Sequence, residues 1–167
     1  SQQQLSLITG NLGEKIDHIS NYAITLSINS NIAGVLKENP TVPENTLEHF
    51  LVNSELTDQA QRIIGLHKNI YAWDILDTEN HWFHSSTTET DQLDSILGSE
   101  ILDSLQTNLA FQFLGPFQIS GEPTFVALKS ITNIDNTKYL GALVLLIRET
   151  NISSAFRDLP DSSSRDF

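Results

Sequence analysis

Two histidines and two carboxylates lie close together in one short stretch of the chain, where they could hold a metal ion. Asp77 and Glu79 are followed by His81 and His84, all within eight residues. Imidazole nitrogens and carboxylate oxygens are usual protein ligands of Zn²⁺ and related cations. The histidines lack the i, i+4 spacing of a helical site, however, and the stretch has the polar composition of a hairpin turn. We therefore predict a polar turn without a metal ion.

The other common catalytic arrangements are missing from the sequence. There is no Cys, which excludes disulfides, iron–sulfur clusters and thiol nucleophiles. No G-x-S-x-G elbow, P-loop or G-x-G-x-x-G run occurs, so neither a serine nucleophile nor a nucleotide cradle has a recognisable motif. We predict no catalytic residues and no cofactor, and therefore no enzymatic activity for this chain.

Aromatic side chains are dense in the second half of the chain and offer a different kind of site. Rings placed beside a few polar groups hold small molecules by stacking and directed hydrogen bonds. The same rings could equally form the core of the domain, and the sequence leaves both interpretations open. The residues concerned are Tyr71, Trp73, Trp82, Phe83, Phe111, Phe113, Phe117, Phe125 and Tyr139.

Two charged residues interrupt apolar runs in this aromatic region. Asp74 stands between Trp73 and Ile75, and Lys129 follows the apolar run 125–128. Each could bind the opposite charge of a ligand. Each could also point to water from the open face of an antiparallel sheet, and the sequence does not decide between these alternatives.

The charges are unevenly distributed along the 167 residues, a length typical of one domain. The chain has 9 Lys and Arg against 21 Asp and Glu, for a formal net charge of −12. No Lys or Arg occurs between Lys68 and Lys129, an interval that contains nine carboxylates. Nucleic-acid binding depends on cationic side chains that neutralise phosphates, so nucleic acid is excluded as a partner.

The elements that position these residues begin with a helical region. Apolar residues recur there every seven positions, which predicts one long helix that Asn29 to Asn31 interrupt. The stripe could pack on its own domain, or part of it could also pair with a second copy of the chain. Its members are Leu5, Leu12, Ile19, Leu26 and Ala33.

A second helix follows the proline-containing segment 39–43, which ends the first. Asn45 is the expected N-cap, with Glu48 at the third helical position. Gly65 suits a left-handed C-terminal cap. The first 66 residues are thus predicted to be mostly helical. The buried edge of this second helix is formed by Leu47, Phe50 and Leu51, and the helical spacing continues through Leu56, Ala60, Ile63 and Ile64.

The remaining pattern predicts a sheet. Residues 70–77 and 82–86 form a hairpin, and three further strands are expected over 111–120, 124–132 and 140–149. Between these two groups, Ser99 opens a short helix. Strands joined by short loops pair antiparallel, so the fold class is α+β: a long N-terminal helix packed on a five-stranded antiparallel sheet.

With this outline, the chain resembles an extracytoplasmic Cache domain, the PAS-like sensor module of bacterial membrane receptors, and is most similar to those of sensor histidine kinases. The resemblance rests on 70–77 and 82–86 as the first strand pair, and on Phe113-Leu114-Gly115-Pro116 as the approach to the later strands. It is best over 122–131 and 140–147, where Gly141 opens the last strand. It implies a helical segment 1–66 and a sheet with a pocket over 67–156, both of one domain, and a flexible tail over 157–167.

The resemblance also implies a location outside the cytoplasm, between membrane helices that flank the domain. The longest apolar run, 140–147, is far shorter than the roughly 20 residues of a spanning helix. The membrane would therefore be contacted only through segments outside this chain. Because the chain has no Met, we expect a processed product or a piece of a longer protein.

Such modules bind small molecules on the sheet face opposite the long helix, under the linker between the second and third strands, here about residues 87–109. The acidic interval, which lacks Arg, favours a neutral or cationic ligand. The resulting candidate ligand-binding residues are Trp73, Asp74, Trp82, His84, Phe111, Phe113 and Lys129.

The function implied is ligand sensing for a two-component histidine kinase, with the signal passed by rearrangement of the long helix and of its pairing with a second copy. Leu5, Leu12, Ile19 and Leu26 are the predicted dimer and signalling positions. Two alternatives stay open: a ligand-free interaction or dimerisation module, and the input domain of a chemoreceptor or diguanylate cyclase.

Overall fold

A computed structural model describes residues 2–40, 42–65, 69–84, 90–133, 135 and 138–152, with side chains from residue 13 onward except that of Thr90. Helices occupy most of the first part and strands most of the second, so the predicted α+β class is confirmed. The predicted tail, 157–167, lies outside the described residues. In chain order, the elements are α1 (Gln2–Ser27), α2 (Ser30–Glu38), α3 (Leu47–Ile64), β1 (Ala72–Leu76), β2 (Trp82–His84), α4 (Thr90–Ser104), β3 (Gln112–Ile119), β4 (Glu122–Thr132) and β5 (Tyr139–Arg148).

The five strands form one antiparallel sheet in the order β2-β1-β5-β4-β3. The turn at Ser120 and Gly121 joins β3 to β4, and both residues have the positive φ that tight turns require. β1 lies beside β5, so the first hairpin completes the sheet that the last three strands begin. The register places Leu76 opposite Trp82 and Asp74 opposite both His84 and Val144.

The two faces of the sheet belong to separate cores, because successive side chains of a strand point to opposite sides. We name them the α1 face and the α4 face after the helix that covers each. The α1 face, which α2 and α3 also cover, includes Trp73, Ile75, Phe83, Ala127, Leu143, Leu145 and Ile147. The α4 face includes Ala72, Leu76, Trp82, Val126, Leu128, Val144 and Leu146.

The first helical stripe is divided between α1 and α2. Asn29 caps α2, and its side chain accepts hydrogen bonds from the backbone N–H groups of Asn31 and Ile32, both at 3.0 Å. The predicted interruption at this point is confirmed. Ile19 and Leu26 of α1 are fully buried in the core of the α1 face.

The predicted buried edge of α3 is wrong at its start and correct farther along, where Leu56, Ala60 and Ile64 are buried. Leu47, Phe50 and Leu51, expected at the buried edge, are 74%, 63% and 58% exposed. The residues that α3 buries are Val52, Leu56, Ala60 and Ile64. The caps also differ: Thr46 and not Asn45 is the N-cap, because Asn45 has a left-handed φ of 63°, and Gly65 is right-handed with φ −51°.

The physical reason for this orientation is the edge strand β2, whose outward backbone groups need partners. The Trp82 N–H donates to Glu44 Oε1 at 3.3 Å, and the His84 N–H donates to Asn53 Oδ1 at 3.0 Å. His49 Nε2 lies 2.9 Å from the Trp82 carbonyl oxygen, and its ring stacks on Phe83 at 4.6 Å. Polar side chains at the start of α3 therefore close this edge, and the apolar trio turns outward.

The helix between the two strand groups is longer than predicted. α4 begins at Thr90, before Ser99, and is kinked at Gly98, whose φ of 68° and ψ of 165° are not helical. The first half buries Leu93 and Leu97 against the α4 face. These two leucines are four positions apart, which is a helical spacing that the surrounding polar residues obscure in the sequence.

Two irregular backbone positions shape the sheet. Gly141, at the start of β5, has φ 154°, and a Cβ there would run into the backbone carbonyl of Leu76. On the edge strand β3, the register with β4 shifts between Leu114 and Phe117, at Gly115 and Pro116. Within the described part of the chain, no helix combines the length and the apolar character needed to cross a bilayer.

Candidate functional site

The candidate ligand-binding residues are divided between the two faces of the sheet. Strand alternation and register place Asp74, Trp82 and His84 on the α4 face. The other four, Trp73, Phe111, Phe113 and Lys129, lie on the α1 face or pack against its core. The structure therefore brings together only the first three.

The aromatic residues of the α1 face pack as a core. Trp73 is 1% exposed, and its Nε1 has no hydrogen-bond partner among the described residues. Phe113 stacks on Phe125 with ring centroids 5.0 Å apart, and Phe111 is 6.4 Å from Phe113. For these rings, the geometry favours the core interpretation over the pocket interpretation.

Lys129 lies on the same face as this aromatic group. Its Nζ donates a hydrogen bond to the Leu109 carbonyl oxygen at 2.6 Å, and burial lowers the pKa of its ammonium group. The side chain therefore holds the segment after α4 against β4. This contact is made inside the domain and gives Lys129 a structural role.

Asp74 is the most unusual residue of the α4 face, because its side chain is completely buried. Carboxylates are rarely removed from water in a protein core, since an ionised group loses its hydration there. Asp74 therefore does not point to water from an open face, which was one of the two alternatives left by the sequence. The half-buried His84 lies directly opposite it on β2.

Trp82 connects the α4 face to the helix that covers it. The indole is 5% exposed, and its Nε1–H donates to Asp94 Oδ1 of α4 at 2.7 Å. Ser130 of β4 makes a second connection, because its hydroxyl donates to the carbonyl of Leu105 just after α4. Both polar contacts fasten α4 over the sheet.

Arg148 and Tyr71 complete this face. Tyr71 was among the aromatic residues singled out in the sequence, whereas Arg148 was missed. Arg148 lies opposite Thr124, with its guanidinium carbon 3.9 Å from the centre of the Tyr71 ring. Its Nη1 donates to Thr124 Oγ1 and to the Ile119 carbonyl, each at 2.7 Å, and its Nε lies 3.1 Å from Glu122 Oε2. Alternation along β5 with Val144 and Leu146 is the sequence signal that could have found Arg148.

The α4 face therefore includes an Arg, although the acidic interval between Lys68 and Lys129 has none. Val144, the β5 partner of Asp74, is four residues from Arg148, which corresponds to about 13 Å along a strand. The face thus carries a buried carboxylate in the middle of β1 and a stacked guanidinium at the end of β5. Such an arrangement can bind a small molecule by directed polar contacts at separate points.

The polar turn between β1 and β2 is organised by Asp77. Its Oδ1 accepts hydrogen bonds from the N–H groups of Glu79 and His81, and its Oδ2 lies 3.1 Å from His81 Nδ1. The same carboxylate adds to burial in raising the pKa of Tyr139 to about 12. Among the described residues, no cluster of three or more potential metal ligands occurs.

Comparison with known proteins gives structural neighbours only, because no family model and no curated protein sequence matches the chain. The ligand-binding domain of the Campylobacter jejuni chemoreceptor Tlp3 in complex with L-valine has a TM-score of 0.55 and 14% identity, covering 95% of this chain and 64% of that one. A domain of a sensory box/GGDEF family protein from Vibrio parahaemolyticus has a TM-score of 0.63 and 15% identity, covering 96% and 63%. The sensor domain of the V. cholerae histidine kinase DctB has a TM-score of 0.62 and 13% identity, covering 94% and 58%.

These neighbours establish the class of fold. They are sensory domains of a chemoreceptor, a GGDEF protein and a histidine kinase, and the chain has their PAS-like architecture. The resemblance to a Cache-type sensor domain is thus confirmed at the level of the fold. The chain spans less than two thirds of the length of each of these three domains.

Proposed function

We propose that the chain is the extracytoplasmic ligand-sensing domain of a bacterial membrane receptor, and that it binds a small molecule on the α4 face of the sheet. The receptor is most simply a two-component sensor histidine kinase, with the input domain of a chemoreceptor or diguanylate cyclase as the alternative. The shared fold of sensory domains from all three receptor types supports the general role.

The observation that carries the proposal is the complete burial of Asp74 on the α4 face. A carboxylate in this position contributes little to packing and can recognise a cationic or hydrogen-bond-donating group. Arg148 is already engaged by Glu122. The ligand that fits best is therefore neutral or cationic, as the acidic interval of the sequence also favours.

Access to Asp74 requires movement of α4. The kink at Gly98 divides the helix into two segments. The Trp82–Asp94 hydrogen bond holds the first segment on the sheet, and the Ser130–Leu105 hydrogen bond holds the end of the second. A ligand that replaces these contacts would favour a second position of α4. It can shift that equilibrium only by its difference in affinity for the two states.

Signal output is proposed to pass through α1, which packs across β4 and β5 on the opposite face. Ile19 and Leu26 couple α1 to the sheet because both are buried in its core. Leu5 and Leu12 remain the predicted positions for pairing with a second copy, and their side chains lie outside the described part of the chain.

The test is a thermal-shift screen of the 167-residue chain with defined compounds: choline, glycine betaine, putrescine, the standard amino acids and neutral sugars. A compound present at 100 times its Kd should stabilise the fold by about 2.7 kcal/mol. Asp74→Asn should abolish the shift, whereas the matched control Asp103→Asn, at an exposed position of α4, should retain it. The assignment of the site would be contradicted if every observed shift survived Asp74→Asn.

A second candidate is a ligand-free interaction module, which the exposed apolar ridge of Leu47, Phe50 and Leu51 favours. Glu48 and Glu55 flank this ridge on the exposed side of α3. The matching partner is therefore a protein surface with apolar side chains surrounded by Lys or Arg. Failure of every compound in the screen, together with partner binding that Leu51→Ser abolishes, would favour this candidate, and sedimentation of the chain alone would reveal self-association instead.

A further inference from the structure

A recess lies on the opposite side of the sheet from the α4 face. It is a cleft of about 250 Å³ between α2 and the turn that joins β4 to β5. α2 supplies Ala33, Gly34 and Lys37, and the strands and turn supply Asn133, Asp135 and Leu140. We propose that this cleft binds a small amino-carboxylate, a molecule with one cationic and one anionic group joined by a short apolar chain.

Charge placement defines this ligand class. Lys37 on the helix and Asp135 on the turn both line the cleft, and both are exposed. Within the described part of the chain, no ion pair joins their side chains. A molecule that presents a carboxylate to Lys37 and an ammonium group to Asp135 would satisfy both charges at once.

The remaining walls suit a short apolar linker between those charges. Leu140 is buried beneath the cleft, and Ala33 packs against the same core. The Asn133 side chain is half-buried at the turn and adds a polar amide. A volume of about 250 Å³ is enough for a molecule of amino-acid size.

Gly34 keeps the cleft open. A Cβ at this position would meet no atom within 4 Å, so the space for a side chain exists but is left empty. Glycine inside a helix costs about 1 kcal/mol relative to alanine. The sequence therefore has a less stable α2 at a position where a larger side chain would occupy the cleft.

The cleft is placed so that occupancy would affect α1. α2 follows α1 after only residues 28 and 29, and its Leu36 lies beside Gly141 at the start of β5. A ligand that bridges Lys37 and Asp135 would hold α2 against the β4–β5 turn. It would thereby restrict the positions that the C-terminal end of α1 can take. This effect would not depend on a ligand at the α4 face.

The inference can be tested by isothermal titration of the 167-residue chain with glycine, β-alanine and 4-aminobutanoate, and with acetate and ethylammonium as half-ligands. At least one amino-carboxylate should bind at least ten-fold more tightly than either half-ligand. Lys37→Gln and Asp135→Asn should each weaken that binding at least ten-fold. Equal binding of the half-ligands, or binding by none of the probes, would overturn the proposal.

Gly34→Leu provides the sharpest variant because it fills the cleft while favouring the helix. It should abolish binding without lowering the melting temperature, whereas the matched control Gly34→Ala should be more stable than the parent chain and retain most of its affinity. Asp74→Asn should leave this binding unchanged. If Asp74→Asn abolishes binding of these probes and Gly34→Leu does not, they bind on the α4 face: the cleft proposal then fails and the proposed function stands.

Discussion

The two faces of the sheet are made by the same strands and have different chemical character. The α1 face is filled with large apolar side chains such as Trp73 and Phe83, packed under three helices. The α4 face is equally buried but includes Asp74, Thr124 and Ser130. Neighbouring residues of one strand thus belong either to an apolar packing surface or to a surface that carries buried polar side chains.

The helices that cover the two faces also differ in how they are attached to the sheet. α1 and α3 bury apolar stripes directly in the core of the α1 face. α4 is kinked, and polar contacts to Trp82 and Ser130 help to fasten it. Hydrogen bonds can be exchanged for bonds to water or to a ligand at small net cost, whereas a packed apolar stripe cannot be exposed without a large loss. α4 also buries Leu93, Leu97 and Leu102, so opening of this side would have to offset the exposure of these leucines as well as the lost hydrogen bonds.

The largest expected effect comes from truncation on the α1 face. Trp73→Ala should lower the free energy of unfolding by about 3–5 kcal/mol, because it removes a large side chain from a close-packed core. Since the Trp73 Nε1 has no partner among the described residues, Trp73→Phe should lose clearly less. Urea denaturation of both variants measures the difference, and a loss below about 1 kcal/mol for Trp73→Ala would show that this face is not the stabilising one.

A smaller effect is expected at the far end of the α4 face. Arg148→Gln removes the cation–π contact with Tyr71 and the charged hydrogen bonds to Thr124 and Ile119. The free energy of unfolding should fall by about 2 kcal/mol. Arg62→Gln, which removes only an exposed pair with Asp58, serves as control and should change stability by less than about 0.5 kcal/mol. Equal losses in the two variants would argue against an organised Arg148 site.

The attachment of α4 can be weakened selectively. Trp82→Phe removes the 2.7 Å hydrogen bond to Asp94 and should cost about 1 kcal/mol. Hydrogen exchange followed by mass spectrometry should show faster exchange over residues 90–104, with α1 unchanged. If α1 and α4 accelerated together, the two covers would not be independent.

The smallest effect concerns alkaline pH. The pKa of Tyr139, raised to about 12 mainly by burial and further by Asp77, is above the 10.0 expected for the unfolded chain. Between these values the unfolded state binds fewer protons than the folded state, so the free energy of unfolding falls as pH rises from 10 to 12. Below pH 10 this residue has no effect on the pH dependence. Tyr139→Phe should flatten the decline, and a decline of the same slope in that variant would assign it to other groups.

Much of the fold could be predicted because its determinants are local. The two strands predicted over 111–120 and 124–132 form the β3–β4 hairpin, although its turn lies at Ser120 and Gly121, and Glu122 already belongs to β4. The orientation of α3 could not be predicted, because two apolar stripes have equally good helical spacing. The choice depends on a distant feature, the outward backbone groups of β2, which need His49 and Asn53 as partners.

The candidate site was predicted only in part for a related reason. In a strand buried on both faces, an apolar run does not reveal which residues share a face. Trp73 and Asp74 were therefore grouped although they point to opposite sides of the sheet. Arg148 was overlooked because it follows an apolar run and was interpreted as the end of that run.

The closed edges of the sheet have a consequence for molecules held close together. Side chains of α3 and of Glu44 just before it occupy outer hydrogen-bonding positions of β2. β3 is interrupted at its centre by Gly115 and by Pro116, which has no N–H to donate. A strand from a neighbouring molecule thus finds no continuous row of donors and acceptors at either end. Crowded copies can meet through their helices while each keeps its own sheet, so close packing would not lead to strand exchange or fibrous aggregation.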